Sequence, residues 1–145
     1  MVREIERHEL NELLELYTHL HETDIPEMTE ALRDTWDQII GDINHHVIVN
    51  EVNGKIVASC VCVIIPNLTR GVRPYAFIEN VVTHSGFRGN GYATQCLEFA
   101  KSIAQRENCY KIMLLTGATD AKTLDFYRKA GYNSNDKTAF IQWLE

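Results

Sequence analysis

A glycine pair beside an arginine is the feature of this sequence best suited to hold an anion. Residues 88–93 read Arg-Gly-Asn-Gly-Tyr-Ala and lie between a strand-like stretch and a helix-like one. Glycine reaches backbone conformations that a Cβ atom forbids, so the loop can turn several N–H groups inward. Converging N–H groups at the positive end of a helix, with the charge of Arg88 beside them, suit a phosphate or pyrophosphate. The same residues can also close a simple tight turn.

Two well-known phosphate-binding patterns are absent from this loop. No lysine follows its second glycine, as a P-loop requires, and the three-glycine dinucleotide fingerprint is missing as well. These differences argue against a P-loop NTPase and against a Rossmann oxidoreductase.

The elements around the loop are predicted from the hydrophobic pattern. Asn53-Gly54 joins two strand-like stretches and predicts a β-hairpin, and YAFIENVV predicts a third strand that leads into the loop. A helix from about residue 92 to 107, a strand over 110–115, a helix over 120–130 and a last strand over 138–144 follow, after a short first strand and two N-terminal helices. Because a helix connects consecutive strands, at least one parallel pairing is expected.

Composition limits the classes of protein that this chain can represent. A length of 145 residues with 45% hydrophobic residues fits one domain over residues 1–145. A net charge of -6 without a basic run argues against a nucleic-acid partner. No targeting segment or membrane span is predicted. The four cysteines show no C-x-x-C pair, which favours reduced thiols in a cytoplasmic protein.

The glycine loop resembles a family signature once its neighbours are included. Arg88-x-x-Gly91-x-Ala93, preceded by Val81-Val82, is similar to the acyl-CoA-binding signature of the GCN5-related N-acetyltransferases. The order of elements agrees over about residues 46–145, through a strand ending in LLTG and the later DFYRKAGY. The resemblance implies a mixed α/β (α+β) fold, with a mostly antiparallel sheet that splays at the cofactor site and helices that flank it.

The resemblance also implies acetyl-CoA as co-substrate and assigns its contacts. The pyrophosphate would lie on the loop, and the pantetheine arm would pair with the preceding strand through backbone groups of Val81 and Val82. The loop contacts fall on Arg88, Gly89, Asn90, Gly91, Tyr92 and Ala93, with Thr94 at the next helical amide.

The resemblance suggests a proton acceptor and a proton donor. An amine with a pKa near 10 is free at pH 7 in only about one molecule in a thousand, so the reaction needs a base. Glu79, three residues before Val82, is the first candidate for base or substrate contact; the alternative is a carboxylate on the opposite face, solvated or paired with an arginine. His84 is a second candidate, although its position suits a turn.

Tyr127 matches the family tyrosine that approaches the thioester sulfur and can protonate the leaving thiolate. The alternative is a tyrosine buried in the core. The Val82 N–H is predicted to polarise the thioester carbonyl. Together these roles predict direct attack by the amine in a ternary complex.

The acceptor is less defined than the cofactor. A primary amine on a small metabolite is expected, and the sequence also resembles members that acetylate amino sugar phosphates or aminoalkylphosphonates. Arg70 and Arg73 in the loop before the third strand are candidates for holding a phosphate, phosphonate or carboxylate. A protein or peptide acceptor and a non-catalytic acyl-CoA-binding module remain as alternatives.

The other polar and reactive side chains have simpler interpretations. Cys60, Cys62 and Cys96 are predicted to be buried as small hydrophobic residues. The paired histidines at 19 and 21 and at 45 and 46 are predicted to be on the surface, and no metal site is expected. The apolar terminal stretch TAFIQWLE would leave an exposed strand edge, which favours a homodimer.

Overall fold

Five strands form one sheet in which the spatial order of the strands equals their order along the chain. The computed structural model describes residues 1–145. The strands are β1 (Val2–Glu4), β2 (His45–Val52), β3 (Lys55–Ile65), β4 (Tyr75–Thr83) and β5 (Ile112–Leu114). The first three pairings are antiparallel and the β4–β5 pairing is parallel. The predicted mixed α/β fold with a mostly antiparallel sheet is confirmed.

Four helices flank the sheet. They are α1 (Leu10–Tyr17), α2 (Glu30–Gly41), α3 (Tyr92–Arg106) and α4 (Ala121–Lys129). Side-chain caps begin two of them, since Thr29 accepts from the Leu32 N–H at 3.1 Å and Asp120 accepts from the Thr123 N–H at 2.9 Å. The sequence therefore predicted the four helices correctly, with ends that differ by a few residues.

The sheet separates two hydrophobic clusters. On one face, residues of α3 such as Leu97 and Ile103 pack with Ile48 and Ile78 of the sheet, and α4 covers part of this cluster. On the other face, Leu13 and Leu16 of α1 and Trp36 of α2 pack on alternate residues of β2 and β3. Strands buried on both faces explain the nearly continuous apolar run of β3. Cys60, Cys62 and Cys96 are fully buried in this interior, as predicted.

The β2–β3 hairpin has the turn that its sequence predicts. Asn53 has a φ of 50° and Gly54 a φ of 78°, both in the left-handed region that such two-residue turns require. The hairpin holds β3 at the centre of the sheet, next to β4.

A buried carboxylate fixes the first strand to the start of α1. Glu9 accepts hydrogen bonds from the two Arg3 guanidinium nitrogens at 2.6 and 2.8 Å, and Arg3 also pairs with Glu51 of β2 at 2.6 Å. The bonds from Arg3 hold the pKa of Glu9 at about 2, although burial opposes the shift. This charged cluster joins β1, β2 and the segment that leads into α1.

The prediction of a last strand over 138–144 is wrong. Residues 133–145 form neither helix nor strand, and the sheet ends at β5. The apolar side chains of this segment face solvent, with Phe140 89% exposed and Leu144 94% exposed. An apolar, β-prone stretch forms a strand only where a neighbouring strand pairs with it, and no strand of this chain does so. None of the helices is long and apolar enough to cross a membrane.

Candidate active site

The glycine loop lies between β4 and α3 and leaves the start of the helix open. Gly89 and Gly91 have φ values of 80° and 79°, so the loop uses the left-handed conformation that glycine allows. Gly91 is the N-cap of α3, and no side chain caps the first N–H groups of the helix. Those N–H groups, on Tyr92, Ala93 and Thr94, therefore remain free to bind an anion.

Two side chains hold the loop in this shape. Asn90 donates to the carbonyls of Phe87 at 3.0 Å and Arg88 at 3.3 Å. The Arg88 guanidinium donates to the carbonyls of Thr83 at 3.3 Å and His19 at 3.2 Å, so its charge stays beside the loop. Asn90 and Arg88 thus position backbone groups of the loop.

Asn50 of β2 ties the beginning of α3 to the sheet. Its side-chain amide is buried and donates to Gln95 Oε1 at 2.7 Å and to the Tyr92 carbonyl at 3.3 Å. Sequence reasoning missed this residue, because a single asparagine in an apolar strand does not identify its partner.

A gap opens between β4 and β5 beside the loop. The parallel pairing of the two strands covers Ala76 to Ile78 on β4 and ends where Ile78 pairs with Leu114. Residues 79–83 of β4 therefore have no neighbour on that side. The predicted splay of the sheet is present at this position.

A bulge lies in the same part of β4. The register of β3 and β4 runs from Val61 opposite Glu79 to Ser59 opposite Val82, so β4 carries one extra residue. Asn80, within the bulge, has a φ of 52°, which is rare for a residue other than glycine. The sequence resemblance implied an open strand here but did not locate the bulge.

The bulge determines which backbone groups face the gap. The His84 N–H donates to the Val57 carbonyl at 2.8 Å, and backbone groups alternate in direction along a strand. Val82 therefore directs its N–H and carbonyl towards Ser59 of β3, while Val81 and Thr83 direct theirs towards the gap. Thr83 is a candidate contact that sequence reasoning missed, since the alternation could not be counted without the bulge.

Tyr127 of α4 approaches the bulge from the α3 face of the sheet. It is half-buried and packs on the cluster that contains Cys60, the β3 residue that the bulge leaves without a partner. Burial raises the pKa of Tyr127 above its usual 10, and the neighbouring Cys60 thiol raises it further. The phenol therefore stays protonated at neutral pH and can act as a hydrogen-bond or proton donor.

Glu79 lies on the opposite face, at the edge of a cavity of about 630 Å³ between α1, α2 and the sheet. Its carboxylate is exposed and takes part in none of the ion pairs of the protein. Tyr17 and Asn80 line the cavity beside it. Burial raises the pKa of Tyr17 to about 12, and the neighbouring polar side chain of Asn80 opposes the shift. Tyr17 was not predicted as a site residue, since its spacing indicated only a helix face.

His84 acts as a turn residue. Its Nδ1 accepts from the Gly86 N–H at 3.0 Å, and its Nε2 lies 3.2 Å from Lys55 Nζ. Partial desolvation lowers the pKa of His84, and the charges of His19, Lys55 and Arg88 lower it further. The imidazole is therefore neutral and engaged in the loop.

The two loop arginines bind other parts of the protein. Arg73 donates to the carbonyls of Asn108 and Cys109, each at 3.1 Å. The Arg70 guanidinium stacks over the Tyr110 ring at 5.4 Å. Neither arginine lines the cavity beside Glu79, so the structure does not bring the predicted phosphate ligands together with the predicted base.

The predicted surface histidines differ in their environments. His21 is exposed, whereas His19 is half-buried and stacks on the His84 ring at 4.0 Å. His45 and His46 lie on β2 and are half-buried, which corrects their assignment to the surface. The reason is that they belong to a strand covered by α2 and β1. No group of three His, Cys, Asp or Glu side chains is arranged to hold a metal ion.

An open strand with a bulge, followed by a glycine loop and an uncapped helix, offers free backbone groups to an extended ligand that carries a phosphate, as an acyl-CoA does. The profile of the acetyltransferase (GNAT) family matches residues 9–132. The chain therefore belongs to the GNAT family, and it is an acetyl-CoA-dependent N-acetyltransferase.

Relatives and solved structures agree with this assignment. Glucosamine 6-phosphate N-acetyltransferase of Trypanosoma brucei brucei is 29% identical over 136 residues, covering 94% of this chain and 90% of the relative. A solved structure from Agrobacterium tumefaciens str. C58, whose name places it among the acetyltransferases, is 38% identical with a TM-score of 0.90 and 99% coverage of both chains. Glucosamine-6-phosphate N-acetyltransferase from Arabidopsis thaliana is 25% identical with a TM-score of 0.83, covering 100% of this chain and 98% of the other.

Proposed function

We propose that the protein transfers the acetyl group of acetyl-CoA to the primary amine of a small molecule by direct attack in a ternary complex. The observation that carries this proposal is the bulge in β4. It opens the strand between Glu79 and Val82, with Glu79 on one face and Tyr127 packed near the same point from the other. A base, a donor and an open backbone around one short segment are what aminolysis of a thioester requires.

Acetyl-CoA binds along β4 and on the glycine loop in this proposal. The pyrophosphate accepts hydrogen bonds from the free N–H groups of the loop and of the first turn of α3, and Arg88 adds a positive charge. The pantetheine arm pairs with the backbone groups of Val81 and Thr83 that face the gap. Val82 does not donate its N–H to the cofactor in this proposal, because its backbone groups face β3. It supports the contact by keeping β4 paired with β3.

Glu79 accepts a proton from the ammonium group of the acceptor, and the neutral amine that results attacks the thioester carbonyl. An exposed carboxylate can do this directly or through a water molecule, and it can also attract the cationic amine before the reaction. The carbonyl oxygen becomes negative as the amine attacks, and the N–H of Val81 at the gap is suitably directed to stabilise it.

Tyr127 protonates the departing thiolate. A thiol has a pKa near 8.5, so donation of a proton to the sulfur favours collapse of the tetrahedral intermediate towards products. The raised pKa of Tyr127 supports this role, because the phenol keeps its proton until the thiolate forms.

The relatives' names make an amino sugar phosphate the first acceptor to test, with an aminoalkylphosphonate beside it. Release of CoA from acetyl-CoA by the purified protein against amines of several classes tests the whole proposal. We expect release that depends on one class of amine and falls at least about 100-fold in Glu79→Gln. Protection against heat by acetyl-CoA without any release would instead favour a non-catalytic binding protein, and release with peptides alone would favour a protein acetyltransferase.

We also propose a homodimer in the cytoplasm. The exposed apolar segment 138–144 is long enough to pair with a strand edge, and the outer edge of β5 has no partner in the chain. Light scattering of the full chain and of a chain shortened after Asp136 tests this state. A dimer that becomes a monomer on shortening supports it, whereas a monomeric full chain contradicts it.

Three fully buried, unpaired cysteines support the proposed location in a reducing compartment, which fractionation of cells can test.

A further inference from the structure

The cavity beside Glu79 is strongly apolar. Eleven of its 15 lining residues are hydrophobic, and they come from α1, α2 and the sheet. Its walls include Leu13 and Leu14 of α1, Leu32 and Trp36 of α2, and Val61 and Val63 of β3. A volume of about 630 Å³ is within the range of pockets that hold small organic molecules.

The polar groups of the cavity are few. Glu79 and Asn80 are adjacent residues of β4 at the bulge, and Tyr17 lies against Asn80. Tyr17 counts among the eleven hydrophobic residues despite its hydroxyl group, and Thr35 and His45 complete the lining. The cavity therefore has a single carboxylate, near the position proposed for the thioester, in a lining that is otherwise mostly hydrocarbon.

The lining contains no lysine or arginine. His45 is its single basic group, and burial lowers the pKa of His45, so this imidazole is neutral at neutral pH. A phosphate in the cavity would lose its hydration without gaining a cation, which is costly. An ammonium group beside Glu79 gains a charged partner, while an apolar body gains by leaving water.

We infer that this cavity is the acceptor pocket and that it selects primary amines with an apolar body, aromatic or branched aliphatic, whose ammonium group pairs with Glu79. The inference rests on the proposed function, since it places the acceptor next to the proposed base. It separates this chain from its relatives, whose named substrate is a sugar phosphate.

The test compares apolar amines with phosphorylated ones. Phenethylamine, tryptamine and isoamylamine are assayed against glucosamine 6-phosphate and 2-aminoethylphosphonate, each by CoA release under saturating acetyl-CoA. We expect kcat/KM for the best apolar amine to exceed that for either phosphorylated amine by at least about tenfold.

A matched pair of variants tests whether the apolar amine binds in the cavity. Thr35→Trp fills the rim of the cavity from an exposed position of α2, and Gln38→Trp adds the same side chain at an exposed position of α2 outside the lining.

Thr35→Trp is expected to raise KM for the apolar amine at least about tenfold, with heat protection by acetyl-CoA retained, whereas Gln38→Trp leaves KM unchanged. Turnover that favours a phosphorylated amine and is insensitive to Thr35→Trp overturns the inference and leaves the proposed function standing. Equal effects of both variants also overturn it, because the change would then not come from the cavity. Failure to acetylate any amine overturns the proposed function, and the inference with it.

Discussion

Ile78 of β4 and Leu114 of β5 form the last pair of the parallel ladder, and Glu79 is the next residue of β4. The sheet therefore opens at the residue that also carries the proposed base. Within the next four residues β4 gains its bulge and turns the backbone groups of Val81 and Thr83 towards the opening. The end of the β4–β5 pairing, the bulge and the carboxylate of Glu79 therefore lie within one short stretch of β4.

Replacement of Glu79 by glutamine should abolish most of the activity without affecting acetyl-CoA. The amide keeps the size of the side chain but cannot accept the proton of an ammonium group, so kcat/KM for the amine should fall at least about 100-fold. Heat protection by acetyl-CoA should be unchanged, because Glu79 lies on the face opposite α3. The exposed Glu107→Gln is the control. Equal activity of both variants would exclude Glu79 as the base.

Replacement of Tyr127 by phenylalanine should lower kcat about 10- to 100-fold and leave KM for acetyl-CoA nearly unchanged. Deprotonation of Tyr127 should not lower the wild-type activity between pH 7 and about 9. The reason is that burial raises the pKa of Tyr127 above 10, so the phenol remains protonated in this range. Tyr132→Phe is the matched control, because Tyr132 packs on the same cluster and burial raises its pKa as well. A similar fall in kcat for both variants would indicate a packing effect.

The role of Gly91 in binding acetyl-CoA can be tested by comparison with Gly54, a glycine of the same backbone conformation in the β2–β3 turn. Gly91 and Gly54 have φ values of 79° and 78°, and a Cβ atom at either position would meet no atom within 4 Å. Alanine should therefore cost about 1 kcal/mol of stability at each position through backbone strain alone. Gly91→Ala should in addition raise KM for acetyl-CoA severalfold, because the free N–H groups follow Gly91 directly. Steady-state kinetics with both variants separates the effects, and equal KM values would argue against pyrophosphate binding at this loop.

The hydrophobic pattern was sufficient to predict the hairpin, the helices and the position of the glycine loop, because each depends on residues close in sequence. Asn53-Gly54 and the stripe of α3 are local signals of this kind. The bulge at Asn80 and the end of the β4–β5 pairing depend on how distant strands match, which no short stretch encodes. Segment 138–144 shows the same limit, since its composition favours a strand but no strand of the chain pairs with it.

The backbone at Asn80 should matter more than its side chain. Its φ of 52° is accessible to glycine and asparagine but costs a β-branched residue about 1–2 kcal/mol. Asn80→Gly should therefore keep the bulge and most of the activity, while Asn80→Val should lose both stability and kcat. Asn108→Val is the control, because Asn108 has a φ of 62° outside the site and should lose stability only. Loss of activity in Asn80→Gly would show instead that the Asn80 side chain, which lines the cavity with Tyr17, is essential.

The buried Glu9 should make the protein sensitive to acid. Its pKa is about 2 in the folded protein because Arg3 binds the carboxylate, against 4.5 for an ordinary glutamate. A depressed pKa contributes stability that is complete above pH 4.5 and is lost as the pH falls towards 2, by up to about 3 kcal/mol. Urea unfolding at several pH values should therefore show Glu9→Gln less stable than wild type at pH 7, with the difference shrinking steadily below pH 4.5. The exposed Glu27→Gln, which breaks no ion pair, is the control and should follow the wild-type curve throughout. If Glu9→Gln is less stable than wild type by the same amount at pH 2 as at pH 7, the loss of stability comes from packing and not from the charge on Glu9.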